Sequence, residues 1–344
     1  MKKYLILLFL AVACLGYAQD DDWSGGDPTP AVNIDGLLYR LNAEEQSAKV
    51  ANGNSWEGEL TIPEQVTYEG KHYTVNRIEW IAFMSCTTLT KVKIPKTLIE
   101  IWSFAGGEEN KNPFRGCVAL ESIEVDEDNP SMCSVDGVLF SKDTTWLYSY
   151  PVGATATTYS VPDGVTRIGA SAFRNSPYLQ SVEIPNSVLR LGGGIFWGCK
   201  KLESVRLSEN LSYIPAYLFD DCESLSIIDI PQSVTTIGGS AFRWTHLDAL
   251  VVRGLFSENI REDVFSLVDQ KMIVYVQRSE IPKFKKIYAG SVLPIDEYTN
   301  NLFTILSSST CHSPSILYDL QGRRVTGSAT RGIYVKDGRK VVVK

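Results

Sequence analysis

Three histidines and one acidic cluster are the residues of this chain whose types are most often used in catalysis or metal binding. His72, His246 and His312 are far apart in sequence, so a histidine-based triad or zinc site would need distant loops to converge. The sequence contains no C-x-x-C, H-E-x-x-H, G-x-S-x-G or phosphate-loop motif. We therefore predict that the protein is not an enzyme and uses no cofactor or metal.

The acidic cluster is residues 126–129, which place two carboxylates at the spacing of a calcium-binding loop. Pro130 and Ser131 follow where such a loop needs a ligand and a glycine, so a solvated turn is favoured. Asn210 begins a glycosylation sequon, but it lies inside the repeat pattern described below and such matches are frequent by chance. Neither motif predicts a functional site.

Most of the chain is built on one sequence pattern. The pattern is most regular between Val161 and Phe242, where it recurs with a 23-residue period. The two most regular columns of the pattern are phenylalanines at 173, 196, 219 and 242 and aliphatic residues at 161, 184, 207 and 230. A fixed period of this length is typical of a repeat solenoid, in which each coil buries its apolar face against its neighbours.

Each repeat contains one short strand. Leu202, Val205 and Leu207 have the L-x-x-L-x-L spacing of a leucine-rich repeat. Strands of successive coils would pair in parallel and satisfy each other's backbone groups. We therefore predict a β-rich leucine-rich repeat solenoid with one short parallel strand in every 23-residue repeat.

The repeats are predicted over residues 60–253, with insertions near 67–75, 106–113 and 130–150. The last insertion contains Asp136-Gly137 between alternating apolar residues, which predicts a hairpin. Residues 19–59 are predicted to form a flexible start and an N-terminal cap. Residues 254–298 do not fit the period and are predicted to cap the other end of the core.

The strings from Ile168 to Phe173 and from Leu179 to Val188 closely resemble the BspA-like leucine-rich repeat family. The resemblance covers roughly residues 60 to 253. It implies a secreted or surface-exposed protein of the adhesin kind, without catalytic residues. It does not identify ligand contacts, because these vary among members of the family.

The cysteines also follow the repeat. Cys86, Cys117, Cys199 and Cys222 each lie three residues after a phenylalanine, and Ser176 and Thr245 occupy the equivalent position in two other repeats. Because serine and threonine serve there, buried free thiols are favoured. Pairing of Cys199 with Cys222, and of Cys86 with Cys117, is the alternative, since stacked coils would lie within disulfide range.

The N-terminus has the pattern of a signal peptide, predicted as residues 1–18. Lys2 and Lys3 precede an apolar run from Tyr4 to Leu15, and small residues follow before Gln19. The run is too short to span a bilayer as a helix. A lipoprotein in which Cys14 carries the lipid is the alternative. Either interpretation predicts an exported protein, extracellular or at the cell surface.

The C-terminus differs from the rest of the chain. After a predicted linker at residues 299–312, residues 313–344 carry seven Lys or Arg and two Asp. Such a balance can indicate nucleic-acid binding, but the segment reads as alternating strands with an Asp-Gly hairpin, and no nucleic-acid partner is predicted. It resembles the sorting or anchoring module of the type IX secretion route. A plain β-rich terminal module is the alternative.

Two surfaces are candidates for binding. The outward residues of the strands predict a binding face that contains Lys91, Lys93, Glu124, Glu183, Arg206 and Asp229. The same spacing places Ile227, Leu250 and Val252 outward as an apolar end, either a contact patch or the seat of the cap. The second surface comprises Trp102, Trp197 and Trp244 near the phenylalanine turns, which either contact a ligand or fill the edges of the coils.

Two functions remain. The first is a surface protein that binds an extracellular or cell-surface protein, in the manner of an adhesin. The alternative is a surface protein that captures carbohydrate through its tryptophans. The sequence makes no prediction of the oligomeric state.

Overall fold

The computed structural model describes residues 29–102, 112–256, 260–298, 317–318, 332–336 and 339–343. The predicted signal peptide, Cys14, the linker at 299–312 and most of the insertion near 106–113 lie outside these residues. The backbone of Trp102 is described, but its side chain is not.

The chain is built almost entirely from short strands. In the first half these are β1 (Val32–Ile34), β2 (Leu37–Asn42), β3 (Ser47–Val50), β4 (Gly58–Thr61), β5 (Gln65–Tyr68), β6 (Lys71–Glu79), β7 (Leu89–Ile94), β8 (Glu100–Trp102), β9 (Ser122–Val125), β10 (Met132–Val135), β11 (Val138–Ser141) and β12 (Trp146–Ser149). The second half contains β13 (Thr158–Ser160), β14 (Arg167–Ile168), β15 (Ser181–Glu183), β16 (Arg190–Leu191), β17 (Ser204–Arg206), β18 (Tyr213–Ile214), β19 (Ile227–Ile230), β20 (Thr236–Ile237), β21 (Ala249–Val252), β22 (Ile273–Val276), β23 (Ser291–Pro294), β24 (Leu317–Tyr318), β25 (Gly332–Lys336) and β26 (Arg339–Val343). The helices are the α-helix α1 (Ile281–Ile287) and 3-10 turns at Glu262–Phe265, Arg278–Glu280 and Ile295–Glu297.

Parallel pairing between neighbouring repeats follows the predicted period. In the sheet β13-β15-β17, Val182 pairs with Val205, which is the residue at the same position of the next repeat. The ladder continues beyond the strand ends, since the amide of Ile184 donates to the carbonyl oxygen of Arg206 at 2.9 Å. The leucine-rich, strand-rich fold that the period predicts is therefore present.

Repeats also contain a second, shorter strand, whereas the sequence analysis predicted one strand in each repeat. Ile168 pairs with Leu191, and Ile214 pairs with Ile237, again in parallel and again between equivalent positions of adjacent repeats. These strands contain two residues each, so alternation could not reveal them.

A continuous stack of aromatic rings fills the interior of the second half. Successive rings occupy the same position of successive repeats, and their centroids are separated by 4.9 to 6.4 Å at Tyr150, Phe173, Phe196, Phe219, Phe242 and Phe265. The stack begins at Tyr150, within the predicted insertion near 130–150, and ends at Phe265, beyond the predicted repeats. The statement that residues 254–298 do not fit the period is therefore wrong for Phe265. The sequence pattern did not reveal the repeat that contains Phe265, because Arg253 follows the strand that ends at Val252. A proline follows the preceding strand, which ends at Ile230.

Left-handed backbone positions flank these rings. The residue two before the ring has φ between 54° and 59° at Ser171, Gly194, Tyr217 and Ser240, and the residue two after it has φ between 54° and 74° at Asn175, Gly198, Asp221, Trp244 and Leu267. The two turns reverse the chain tightly around each phenylalanine. Leu267 obeys the period as Phe265 does, so the repeat geometry extends at least this far.

The predicted hairpin at Asp136-Gly137 is present and divides the core. Val135 pairs with Val138 across this two-residue turn. The carbonyl oxygen of Gly137 accepts a hydrogen bond from Ile123 of β9 at 2.9 Å, where the strand of the next repeat would otherwise pair. Leu139 packs into the N-terminal core, whereas its neighbours Val138 and Phe140 pack into the C-terminal core.

Both ends of the apolar core are covered. At the N-terminal end, β1 and β2 form an antiparallel hairpin that β3 joins to β6. The buried carboxylate of Glu79 fixes this element, because it accepts from Arg40 at 2.8 Å and from the amide of Asn52 at 2.7 Å. At the other end, Phe284 of α1 is fully buried and its ring centroid lies 6.2 Å from that of Phe265.

The C-terminal strands pair separately from the repeats. In this sheet, β25 is paired antiparallel with both β24 and β26. The two residues that connect β25 to β26, Asp337 and Gly338, lie outside the described residues. Within the described part of the chain, no helix is long and apolar enough to cross a membrane.

Candidate binding surfaces

Five of the six charged residues of the predicted sheet face form ion pairs with each other or with Arg253, and Lys93 is the exception among the ion pairs of the described residues. The Nζ atom of Lys91 lies 2.5 Å from Oε1 of Glu124, and this hydrogen bond raises the pKa of Lys91. Arg206 pairs with Glu183 in the same way. Partly exposed pairs of this kind contribute little to stability, but they cancel charge locally. Apart from Lys93, the face therefore presents paired charges of opposite sign to a partner.

Asp229 has a tighter partner that the sequence analysis did not identify. Its carboxylate accepts two hydrogen bonds from Arg253, at 2.7 Å from Nε and 2.6 Å from Nη2. These hydrogen bonds raise the pKa of Arg253. Arg253 directly follows the residue that the period aligns with Asp229, so a search for opposite charges about one repeat apart would have found it.

The six predicted face residues belong to three hydrogen-bonded sheets. Lys91, Lys93 and Glu124 lie in β4-β7-β9, Glu183 and Arg206 lie in β13-β15-β17, and Asp229 lies in β19-β21-β22-β23. The inserted hairpin stands between the first two sheets. The structure therefore brings together residues within each sheet but does not join all six into one continuous ladder.

The predicted outward orientation of Leu250 and Val252 is wrong. Both side chains are fully buried in the main core, because Ile228 pairs with Leu250 and not with Val251, the residue that the period would place opposite it. One missing residue moves every side chain of a strand to the opposite face. Ala249 and Val251 occupy the outer face instead.

The outer face of this last sheet is also covered. Ala249 and Val251 are buried in a separate small core with Tyr275 and Tyr298, and Ile227 packs against it. The C-terminal element thus seals this end of the sheet face, in agreement with the cap alternative. The apolar residues there are not available as a contact patch.

The residues that follow the four phenylalanines from Phe173 to Phe242 form a column at the turns. Arg174, Trp197, Asp220 and Arg243 occupy this column in four successive repeats. The Cζ atom of Arg174 lies 3.5 Å from the ring centroid of Trp197. The ring of Tyr217 stacks on Trp197 with centroids 5.6 Å apart. Arg174 belongs to the preceding repeat and Tyr217 to the following one, so both neighbouring repeats contact the Trp197 ring.

Arg243 connects this column to Trp244. Its Cζ atom lies 5.3 Å from the centroid of Tyr217 and 4.4 Å from that of Trp244. The guanidinium also forms a bidentate pair with Asp220, with Nη2 2.6 Å from Oδ2. Burial raises the pKa of Asp220, and the hydrogen bonds from Arg243 oppose that shift. The 23-residue period could have revealed this cluster, because it aligns Arg174, Trp197, Asp220 and Arg243 at one position of successive repeats.

Trp244 and Leu267 form what we call the turn patch. The exposed fractions of the two residues are 38% and 64%, and the amide of Trp244 donates to the carbonyl oxygen of Leu267 at 3.2 Å. The patch is therefore a pair of exposed apolar side chains at equivalent positions of adjacent repeats.

The residues first considered for chemistry have structural contacts. Asn129 is fully buried, and its Nδ2 atom donates to the carbonyl oxygens of Pro95 and Leu98 at 2.9 and 2.8 Å. Its Oδ1 atom accepts from the amides of Ser131 and Met132, both at 2.9 Å. Residues 126–129 thus form a turn that an inward-pointing asparagine fixes. No cluster of three or more potential metal ligands occurs among the described residues.

The five described cysteines are free thiols, as the favoured alternative predicts. Cys199 donates to the carbonyl oxygen of Phe173 at 3.0 Å, and Cys222 donates to that of Phe196 at 3.1 Å. The hydroxyl of Ser176 instead donates to the carbonyl oxygen of Phe173 in its own repeat, at 2.7 Å, so serine in this column also has a backbone acceptor. Burial raises the pKa of Cys199 to about 12. This thiol is therefore protonated and unreactive at neutral pH.

The comparison with known families agrees with the repeat geometry. The family model described as "BspA type Leucine rich repeat region" matches the chain in six copies, over residues 64–142 and 152–270. The second range extends past residue 253 and includes Phe265. No curated protein matches the chain.

Three solved structures are among those similar to the chain. A leucine-rich cell surface protein from Faecalibacterium prausnitzii is 22% identical, with a TM-score of 0.44, over 77% of this chain and 99% of that chain. The pneumococcal vaccine antigen PcpA is 16% identical, with a TM-score of 0.44, over 77% and 98% of the two chains. A leucine-rich repeat protein from Bacteroides ovatus is 24% identical, with a TM-score of 0.44, over 76% and 67%.

Proposed function

Because this chain belongs to the BspA-type leucine-rich repeat family, we propose that it is an exported, surface-exposed protein that binds another protein and catalyses no reaction. The observation that carries the proposal is the contrast between the two candidate surfaces. The charges of the sheet face are largely neutralised within the protein, whereas Trp244 and Leu267 remain exposed on ordered turns. Exposed tryptophan is a preferred anchor of protein interfaces.

The sheet face supports the same proposal in a different way. Its paired charges, such as Lys91 with Glu124, leave little net charge for steering a charged partner. A partner that contacts this face would be recognised by shape and by individual polar contacts. We therefore place the energetic centre of binding at the turn patch and treat the sheet face as its extension.

Carbohydrate capture is the second candidate function, and it rests on Trp244 alone. Sugars stack on open indole faces, and the faces of Trp197 are occupied by Arg174 and Tyr217. Trp244 retains an exposed fraction of 38%. Glycan binding would therefore depend on the turn patch and not on Trp197.

Binding is tested with the protein lacking residues 1–18, immobilised and exposed to extracellular-matrix and bacterial surface proteins. The proposal expects saturable binding at micromolar concentration that Trp244→Ala weakens. Tyr178→Ala is the matched control, because Tyr178 is exposed to a similar extent, 41%, outside the turn patch. No saturable protein binding would contradict the proposal, and binding on a glycan array without protein binding would favour the carbohydrate alternative.

Export is proposed from the two ends of the chain. Residues 1–18 would direct the protein across the inner membrane, or Cys14 would anchor it through a lipid. Residues 313–344 would act as a type IX sorting module, and the antiparallel pairing of β24, β25 and β26 supports a β-rich module there. The basic charge of this segment contrasts with the net charge of −7 of the whole chain.

Deletion of residues 313–344 tests the export proposal in the native host. We expect a folded protein that stays in the periplasm, because the described strands of this segment, β24, β25 and β26, form a sheet of their own. A truncated protein that reaches the surface or the medium at the wild-type level would show that the segment has no sorting role. Cys14→Ser separates the two N-terminal alternatives, since only a lipoprotein would lose its membrane association.

A further inference from the structure

Cations and aromatic rings are stacked side by side along the turns. The order is Arg174, Trp197, Tyr217, Arg243 and Trp244, with separations of 3.5 Å, 5.6 Å, 5.3 Å and 4.4 Å between successive groups. Each guanidinium lies over a ring, the arrangement in which the positive charge meets the negative face of the π system. The series begins with a cation and ends with the ring of Trp244.

The end of this series is open. Among the described residues, Arg243 is the one guanidinium or ring that stacks on Trp244. One repeat further along the column of Arg243 stands Ser266, which can supply neither a cation nor a ring. The ring of Trp197 therefore has stacking partners in two neighbouring repeats, Arg174 and Tyr217, whereas the ring of Trp244 has Arg243. Trp244 keeps an exposed fraction of 38%.

Local folding does not account for a tryptophan and a leucine at these positions. The residue two after each ring is left-handed, and Asn175, Gly198 and Asp221 are residue types that tolerate this conformation. Trp244 and Leu267 have φ of 54° at the same position and are less suited to it. Both side chains are also exposed, so burial of their own apolar surface does not offset the backbone cost.

We infer that the turn patch binds a protein segment that presents an arginine beside an aliphatic residue. The guanidinium stacks on the open face of Trp244, and the aliphatic side chain packs on Leu267. The proposal rests on the proposed protein-binding function and names the chemistry of the partner. The protein itself contains a contact of the proposed kind, since the guanidinium of Arg174 lies over the ring of Trp197.

The charges near the patch favour a cationic segment. The charge of Arg243 is offset by its bidentate pair with the buried Asp220, so an incoming guanidinium would not meet an unpaired positive charge. Around Leu267 in sequence, the exposed carboxylates of Glu262 and Asp269 outnumber the one exposed amine of Lys271, since Arg261 pairs with Asp263. An acidic segment would gain no cation–π contact with Trp244.

The test uses a short peptide with the sequence Gly-Leu-Arg-Leu-Gly, blocked at both ends, and the folded protein. Binding is followed by the indole ¹H–¹⁵N signal of Trp244, which is assigned by its absence in Trp244→Ala. We expect a saturable shift of this signal. A peptide with citrulline in place of arginine, which keeps the shape and removes the charge, should bind about tenfold more weakly.

Two variants and one control variant locate the binding. Trp244→Ala should abolish the shifts of neighbouring backbone amides, whereas Tyr178→Ala should leave them unchanged. Leu267→Gly should weaken binding while it relieves the left-handed backbone, so a loss of affinity could not be attributed to loss of folding. An unperturbed amide spectrum elsewhere would show that each variant is folded.

Several results would overturn the inference. These are equal binding of the arginine and citrulline peptides, equal binding by Trp244→Ala, and no shift of the Trp244 indole at millimolar peptide. A shift caused by an oligosaccharide such as maltoheptaose, without one from the peptide, would assign the patch to carbohydrate. A protein partner that binds Trp244→Ala as tightly as the unmodified chain would remove this inference and the placement of the binding centre at the turn patch, while protein binding as the function would stand.

Discussion

Phe196 and Phe219 stack with ring centroids 5.7 Å apart and ring planes inclined by 6°. The contact is one step of the six-ring stack that begins at Tyr150 and ends at Phe265. Because successive rings of the stack come from adjacent repeats, the stack behaves as a series of nearest-neighbour contacts.

Loss of one ring should therefore be costly and local. Phe196→Ala is expected to lower the free energy of unfolding by about 3 to 5 kcal/mol, because the side chain is fully buried between two other rings. Urea denaturation would measure the cost, with the milder Phe196→Leu as control. Hydrogen exchange should accelerate first in β15 and β17. Unchanged exchange there would contradict the local effect.

Gly192 and Gly193 should differ sharply in their tolerance of alanine. A Cβ atom at Gly192 would overlap the backbone nitrogen of Ala170 in the preceding repeat, whereas one at Gly193 would lie 3.5 Å from the carbonyl oxygen of Ala216. We expect Gly192→Ala to lower the free energy of unfolding by at least about 2 kcal/mol, since backbone must move apart. Gly193→Ala should cost less than about 1 kcal/mol. Thermal denaturation of the two variants, followed by circular dichroism, decides the matter, and equal costs would refute the close approach.

The buried thiols should resist alkylation in the folded protein. Iodoacetamide at pH 8 is expected to label the partly exposed Cys133 while it spares Cys199 and Cys222, because burial holds the pKa of both thiols above its ordinary value of 9.0. Peptide mapping by mass spectrometry would report the sites, and unfolding in urea should expose all of them. Rapid native labelling of Cys199 would show that the repeat opens readily.

The same thiol predicts a loss of stability in alkali. The pKa of Cys199 is about 12 in the folded protein and about 9 when the chain is unfolded, so the folded state retains the proton longer. Below about pH 9 its contribution is constant, and between pH 9 and about 12 the free energy of unfolding falls as pH rises. Cys199→Ser should show a shallower decline. Equal pH dependence of the two proteins would argue against a role for this thiol.

Asn129 should be indispensable for the turn that was considered as a calcium loop. Asn129→Asp replaces the NH₂ group that donates to Pro95 and Leu98 with an oxygen that faces two carbonyl oxygens. We expect a loss of about 3 kcal/mol or more at neutral pH, because a buried carboxylate lacks compensation. The loss should shrink in acid, where the protonated carboxyl can donate. Urea titrations at pH 7 and pH 4 would measure it, and Asp128→Asn, at an exposed position, is the matched control.

The sequence by itself determined the repeat and its chemistry. The repeat period identified the parallel strands, the buried rings and the cysteine column, because stacked repeats place equivalent residues in contact and each column must then keep one character. The hairpin at Asp136-Gly137 could also be predicted from the sequence, since a two-residue turn is specified by its own residues. Because the sequence contains no catalytic motif, its function was predicted to depend on binding surfaces.

Only the tertiary structure decided which side chains those surfaces present. A single residue fewer between β19 and β21 turns Leu250 and Val252 inward, and no local pattern marks that register. Likewise, the sequence could not distinguish Trp197 from Trp244 as a binding residue. In the structure, Arg174 and Tyr217 cover Trp197, whereas Trp244 remains exposed. The difference arises because the contacts of a residue in a repeat protein come from the repeats before and after it, whose insertions and register are set by the fold as a whole.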